Sequence, residues 1–210
     1  MLDNPIDIKV LNFFDITLDC FKVISKTNLL NKKYLIESFS SLMNEEEIAK
    51  VYMGWKEDGL YFIFDINQSF TNVFSDYRKG DSVEIFIDTR SLNTKGYVTK
   101  FCHHFVFFAE EVDGYKGMEV TRFRMDDMHS LCESKDLIVD SIVKPSSCIL
   151  NIEIPANCLF GFNVREIMQI SFAYRINRFE ANPLHFSISS FEHSIEKSPH
   201  LWPKVNLVSN

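Results

Sequence analysis

In the stretch GDSVEIFIDTR, residues 80–90, Val83, Ile85 and Ile87 alternate with Ser82, Glu84, Phe86 and Asp88. Successive side chains leave an extended strand on opposite sides, so this pattern makes one dry face and one face that carries charge. The dry face demands a second layer of structure to cover it. The charged face has three destinations open to it: solvent, a covering layer, or a ligand.

The same period recurs along the chain. After an EDG turn, LYFIFDI sets Leu60, Phe62, Phe64 and Ile66 on one face and Tyr61, Ile63 and Asp65 on the other. Ala49 to Trp55, FCHHFVFFAEEV, EVTRFRM, KDLIVDSIVK, SSCILNIEIP, Ile170 to Ile176, HFSISSFE and LWPKVNLV read as further strands, and DGYKG is a turn. Asn44 followed by Glu45, Glu46 and Glu47 reads either as the cap of a short helix or as a charged loop. No helical pattern is long enough to cover a parallel sheet, and no repeat of fixed period is present. The expected fold is therefore all-β: an antiparallel β-sandwich with jelly-roll-like connections. One domain over residues 1–210 is expected, with residues 1–48 as an N-terminal extension supplying a strand and an edge. Leu60, Phe62, Phe64, Val83, Ile85, Ile87, Leu150, Ile152 and Ile154 are the expected inner layer, joined by Phe101, Phe105 and Phe107.

Composition narrows the function. The net charge of −7, without a Lys/Arg block or a basic stripe, argues against a nucleic-acid partner. No stretch reaches the roughly 18 apolar residues of a membrane helix. The acidic start MLDNPIDIKVLNFFDITLDC has no apolar signal region, so a cytoplasmic location is expected. Five cysteines at 20, 102, 132, 148 and 158, with no CxxC pair, are expected to be reduced and to fill core space. A monomer or a homodimer is compatible with all of this.

The order WKEDGLYFIFDI, GDSVEIFIDTR, ILNIEIP, SFAYRINR and HLWPKVNLV resembles family 9 of the carbohydrate-binding modules and the broader group of DOMON-like sandwiches. FCHHFVFF is similar to a Cys-His-His-Phe strand in a bacterial branch of that group. The resemblance covers about residues 49–208 and is most specific over Asp81 to Asp88. It implies a non-catalytic jelly-roll module that binds the end of a sugar chain. In the family two tryptophans clamp the sugar. Here Ala156 follows Ile154 and Pro155 where the family has an aromatic, and Arg78, Lys79 and Gly80 precede Asp81 without a tryptophan. Trp202 matches the tryptophan of the family's closing strand, whose role there is structural.

Sugar hydroxyls need fixed donors and acceptors, and the C–H face of a sugar ring packs on an aromatic plane. Asp65, Glu84, Arg175 and Asn177 are the polar candidates, with Trp55, Phe74 and Tyr77 as the aromatic ones. Three readings of Glu84 stand side by side: a buried ion pair with Arg175 that supports the sheet, a ligand contact, or a plain surface position. No metal-binding residues are assigned, because His103 and His104 point to opposite faces and Cys102 and His104, about 7 Å apart on one face, have no visible third partner. A structural calcium held by Asp76, Asp126 or Asp127 stays open, without an EF-hand spacing. No G-x-S-x-G, P-loop or H-E-x-x-H motif is present, and Glu84 and Asp88 stand about 13 Å apart by strand rise, too far for a glycosidase pair. The expected protein is not an enzyme. The alternative on the same fold is a protein-interaction or scaffold module.

Overall fold

The computed structural model describes residues 16–25, 28–40, 45–71, 76–124 and 126–209. Its strands in chain order are β1 (Thr17–Lys22), β2 (Leu35–Ile36), β3 (Ala49–Lys56), β4 (Gly59–Ile66), β5 (Ser82–Asp88), β6 (Cys102–Val112), β7 (Tyr115–Glu119), β8 (Ile138–Lys144), β9 (Ser147–Pro155), β10 (Gln169–Arg178), β11 (Ala181–His185) and β12 (Lys204–Val208). Hydrogen bonds join them in the order β7-β6-β5-β10-β12-β1-β3-β4-β9-β8, with β11 beside β10 and β2 beside β3. Every pairing is antiparallel except those of β1, which runs parallel to both β12 and β3.

This one ribbon of strands folds over on itself. Phe62 of β4 stacks on Phe172 of β10 at 5.5 Å, and Phe64 meets Tyr174 edge-on at 5.4 Å. The β5–β10 half therefore faces the β3–β4 half across a core of interleaved aromatic and branched side chains. All nine strand residues expected in the inner layer, and Phe105 and Phe107, lie in that core. Phe101 precedes β6 and packs half-buried on Phe160 instead. The ends of the ribbon approach each other: Ser141 on β8 donates to the Ala109 carbonyl on β6 and accepts from Lys116 on β7. The result is an all-β sandwich close to a barrel.

Turns sit where the residues demand them. Asp113 and Gly114 both take positive φ, 54° and 85°, as a tight two-residue hairpin between β6 and β7 requires. Gly59 closes the β3–β4 hairpin at φ 152°, and a Cβ there would stand 2.3 Å from the Ile154 carbonyl oxygen. Glu45 to Ile48 form a loop rather than a helix, and Asn44 lies outside the described residues.

Of the strand and the edge expected from residues 1–48, β1 lies between β12 and β3, and β2 pairs with β3 alone. β1 is the strand through which the two halves of the ribbon are joined. Its alternation is weak, with Cys20 its buried residue, so its sequence resembles an edge while its backbone is central.

Candidate functional site

β5 runs between β10 and β6, and its register brings the outward rows together. Glu84 stands opposite Arg175, Ser82 opposite Asn177, and Phe86 opposite Ala173 on β10. On β6 the matching outward residues are Cys102, His104 and Val106. The second face is not left to solvent. Ile195, Leu201 and Trp202, from the 3₁₀ turns before β12, pack over Phe86, Ala173 and Cys102 as a small second core. That cover seals Glu84 at 0% exposure.

Glu84 is held by four contacts. Its Oε1 accepts from Arg175 Nε at 2.9 Å, Arg175 Nη2 at 2.7 Å and Asn177 Nδ2 at 2.6 Å, and its Oε2 accepts from His104 Nε2 at 2.6 Å. Burial pushes the Glu84 carboxyl up, but the His104 hydrogen bond and the Arg175 charge outweigh it and bring it down to about 2. Donation from Nε2 to Glu84 leaves Nδ1 of a neutral His104 ring as an acceptor. Arg175 Nη2 also reaches Glu196 Oε1 at 3.0 Å, and Arg78 Nη2 reaches the same oxygen at 3.0 Å. The charges thus alternate outward as Glu84, Arg175, Glu196 and Arg78. Burial raises the Glu196 carboxyl while Arg175 lowers it, and the net direction is down.

This chain of charges ends at a pocket of about 190 Å³. Its polar lining includes Tyr77, Arg78, Glu196, His103, His104, Thr121 and Arg122, and its apolar lining Val98, Cys102 and Trp202. Trp202 is nearly sealed: its indole N–H donates to the Ile195 carbonyl at 3.0 Å and its ring packs on Phe86 at 5.8 Å. Tyr77 is half-buried against Val106 and Phe108, with the Arg78 guanidinium 5.4 Å from its ring centroid. Burial and the Glu84 charge raise the Tyr77 hydroxyl, so it stays a neutral donor and acceptor near neutral pH.

The predicted site residues separate clearly. Glu84, Arg175 and Asn177 come together but are buried behind the pocket and do not line it, whereas Tyr77 does. Trp55 does not: it points into the main core at 2% exposure and donates its N–H to the Val208 carbonyl. Asp65 does not either. It pairs with Lys50 and Ile149, on the outer face of the other half, because the chain between β4 and β5 crosses the sandwich rather than turning back beside β4. Phe74 lies outside the described residues. The two aspartates of the motif anchor loops: Asp81 accepts from the Thr71 and Phe179 backbone N–H groups, and Asp88 from those of Arg90 and Leu92.

Sequence reasoning missed His104, Glu196, Arg78 and Arg122 as pocket groups. His104 was legible as an outward strand residue two positions after Cys102. Glu196 was not, since it arrives from a segment with no strand pattern. The cysteine expectation is corrected in part. Cys132 and Cys158 are joined as a disulfide with Cα atoms 4.9 Å apart, while Cys20, Cys102 and Cys148 are free and buried. Among the described residues Asp76, Asp126 and Asp127 do not enter any cluster of three donor side chains. The cluster that does form is His103, Glu119 and His129, on the inner side of β6 and β7. A separate relay runs from Glu45 Oε1 to His185 Nδ1 at 2.6 Å and from His185 Nε2 to Ser190 Oγ at 2.7 Å. The Ser190 backbone N–H also donates to that Nε2, at 3.2 Å. The imidazole is therefore engaged as an acceptor within its own loop, and these residues do not line the pocket beside Glu84.

No family model matches the chain, and no curated protein matches its sequence. Solved structures do match its fold. A family 9 carbohydrate-binding module from Caldicellulosiruptor kristjanssonii in complex with glucose superposes with a TM-score of 0.62 at 12% identity, covering 92% of this chain and 96% of that one. A family 9 module from the same organism in complex with cellotriose gives 0.60 at 14% identity, covering 92% and 94%. A Bacteroides uniformis protein for which carbohydrate binding is proposed gives 0.57 at 8% identity, covering 92% and 99%. The chain has the fold of carbohydrate-binding modules, a mostly antiparallel sandwich close to a barrel, and is distantly similar to family 9.

Proposed function

We propose that this protein is a non-catalytic binding module that holds one sugar ring, at the end of a chain or alone, in the pocket beside Glu84. The observation that carries the reading is the convergence of fixed donors and acceptors on a concave site. Arg78, Glu196, His104 and Thr121 line it, and the buried Glu84–Arg175 pair holds His104 and Glu196 in place. Sugar recognition uses such preset polar groups because each hydroxyl both donates and accepts. A volume of about 190 Å³ lies below the ~300–1,000 Å³ usual for larger ligands, which suits one ring rather than a long chain. Tyr77 supplies the aromatic edge, in place of the paired tryptophans of the family.

The chemistry favours binding over turnover. A glycoside hydrolase of the usual two-carboxylate kind needs a carboxylic acid held protonated near neutral pH. Glu84 is drawn down to about 2, and Glu196 is shared between two guanidinium groups and also lowered. Calorimetry against a panel of mono- and oligosaccharides tests the proposal. At least one sugar is expected to bind with a Kd between roughly micromolar and millimolar, and Tyr77→Ala to weaken it about tenfold, ~1.4 kcal/mol. Silence across the panel at millimolar sugar sinks the reading.

A second reading has its own observation. β8 is the last strand of the ribbon and exposes Ile138, Ile142 and Val143. An apolar edge strand is a template for pairing with another chain, so the same fold would serve as an interaction module. Sedimentation of the wild type beside Ile142→Lys separates the two: a dimer dissolved by the lysine favours interaction, and a monomer in both removes it.

A further inference from the structure

On the inner side of β6, next to the pocket that His103 and Thr121 help to line, three donor atoms converge in a buried site. His103 Nδ1 lies 2.8 Å from Glu119 Oε1, His129 Nε2 lies 2.9 Å from the same oxygen, and all three atoms fall within 4.8 Å of one another. Side-chain exposures are 0% for His103, 0% for Glu119 and 2% for His129.

The far side of each imidazole decides what this arrangement is for. His129 Nδ1 stands 2.6 Å from the Lys100 carbonyl oxygen, and His103 Nε2 stands 3.5 Å from the Phe160 carbonyl oxygen. A carbonyl oxygen only accepts, so the nitrogen beside it is the one that carries the hydrogen. In a neutral ring the opposite nitrogen then holds a lone pair. For His129, whose carbonyl contact is short, that lone pair is aimed at a carboxylate oxygen, which is also electron-rich. The 3.5 Å carbonyl contact of His103 is too long to fix its tautomer, and its Nδ1 meets the same oxygen at 2.8 Å. The ring centroids stand 4.3 Å apart, so the three donor atoms are gathered round one point in a buried place. One cation there is shared by all three donors.

We propose that His103 Nδ1, His129 Nε2 and Glu119 Oε1 bind one divalent transition metal ion of the zinc type. Two imidazole nitrogens and one carboxylate oxygen are the donor set that suits zinc and its neighbours rather than calcium or magnesium. The surroundings have the character of a supported metal site, in which each ligand is oriented by a further hydrogen bond. The two carbonyls orient the rings. Glu119 Oε2 accepts from the Cys132 backbone N–H at 2.7 Å, and Oε1 accepts from the Thr121 hydroxyl at 2.7 Å. Ligand atoms around a tetrahedral zinc stand about 3.4 Å apart for bonds of about 2.0–2.1 Å. Loading therefore opens the two short contacts by about half an ångström and draws together the two ring nitrogens, which lie within 4.8 Å of each other, so both imidazole rings move as well as the Glu119 carboxylate. The fourth position is left to water. The Cys132–Cys158 disulfide ties the segment bearing His129 to the segment bearing Phe160, so both walls of the site are cross-linked.

The test uses the full chain with its disulfide intact, stripped with a chelator, reloaded with Zn²⁺ or Co²⁺ and dialysed. Elemental analysis is expected to find one metal per chain, with a rise in Tm on loading. The Co²⁺ form is expected to show the visible bands of a four-coordinate site without a thiolate charge-transfer band. His129→Gln should weaken the affinity by at least about tenfold, whereas His200→Gln, outside the cluster, should leave it unchanged. If His129→Gln does not fold, the wild-type Co²⁺ spectrum carries the decision. Wild-type protein that retains no metal, a thiolate band, or a folded His129→Gln that binds as wild type does would each overturn the proposal and leave a hydrogen-bonded His103–Glu119–His129 cluster in its place.

Discussion

Glu84 keeps its charge inside the molecule because His104, Arg175 and Asn177 together replace the water it loses. Removing one member of such a set leaves the others buried and unpaired, which is costlier than the pair itself is favourable. Glu84→Gln is expected to lower stability at pH 7 by about 3–5 kcal/mol, read from urea unfolding. The pH dependence has a definite sign. The folded-state value of about 2 lies below the ordinary 4.5, so ionised Glu84 stabilises the fold above pH 4.5, and that contribution is lost as pH falls from 4.5 towards 2. Glu119, also near 2, titrates in the same window. The gap between wild type and Glu84→Gln should therefore narrow across it, and a gap independent of pH would refute the assignment. Of the four charged or polar candidates named from sequence, the three on β5 and β10 met because strand register is encoded in alternation. Asp65 strayed because nothing in a single strand says which neighbour it will have.

Among the elements, the β3–β4 hairpin depends on one residue without a side chain. Gly59→Ala would place a methyl group 2.3 Å from the Ile154 carbonyl oxygen at a positive φ that other residues rarely adopt. A loss of about 1–3 kcal/mol or more is expected, visible as a lower urea midpoint. The hairpin itself was legible in EDG, as the β6–β7 turn was in DGYKG, since short turns are set by the conformational range of glycine and its neighbours. The covering turns from Ile195 to Trp202 were not legible. They have no periodicity of their own, and they take their place only because Phe86 and Ala173 offer an apolar patch to cover.

At the scale of the whole molecule, β1 is the parallel strand that links two antiparallel halves. A chain that starts after Lys22 leaves β12 and β3 without their shared partner. It is expected to lose cooperative unfolding by circular dichroism and to disperse poorly in NMR spectra. Had β1 been the edge its sequence suggests, the truncation would cost little. Parallel partners far apart in sequence are hard to read in advance, because the long connection between them leaves no local trace.

Local chemistry was within reach of the sequence alone: most of the strands, which of their faces is dry, where the tight turns fall, and that Glu84 shares a row with Ser82, Phe86 and Asp88; EVTRFRM and HFSISSFE, read as strands, give the sheet only Glu119 and His185 among the described residues. Those follow from backbone geometry and the transfer of apolar side chains out of water, both of which act within a few residues. What only the tertiary structure decided is which rows meet. It sent Asp65 to the far face, brought Glu196 to Arg175, closed the second face over Glu84, and gathered His103, Glu119 and His129 into one buried site. Those outcomes depend on how the ribbon folds over itself, a property of the whole set of strand pairings and not of any single one.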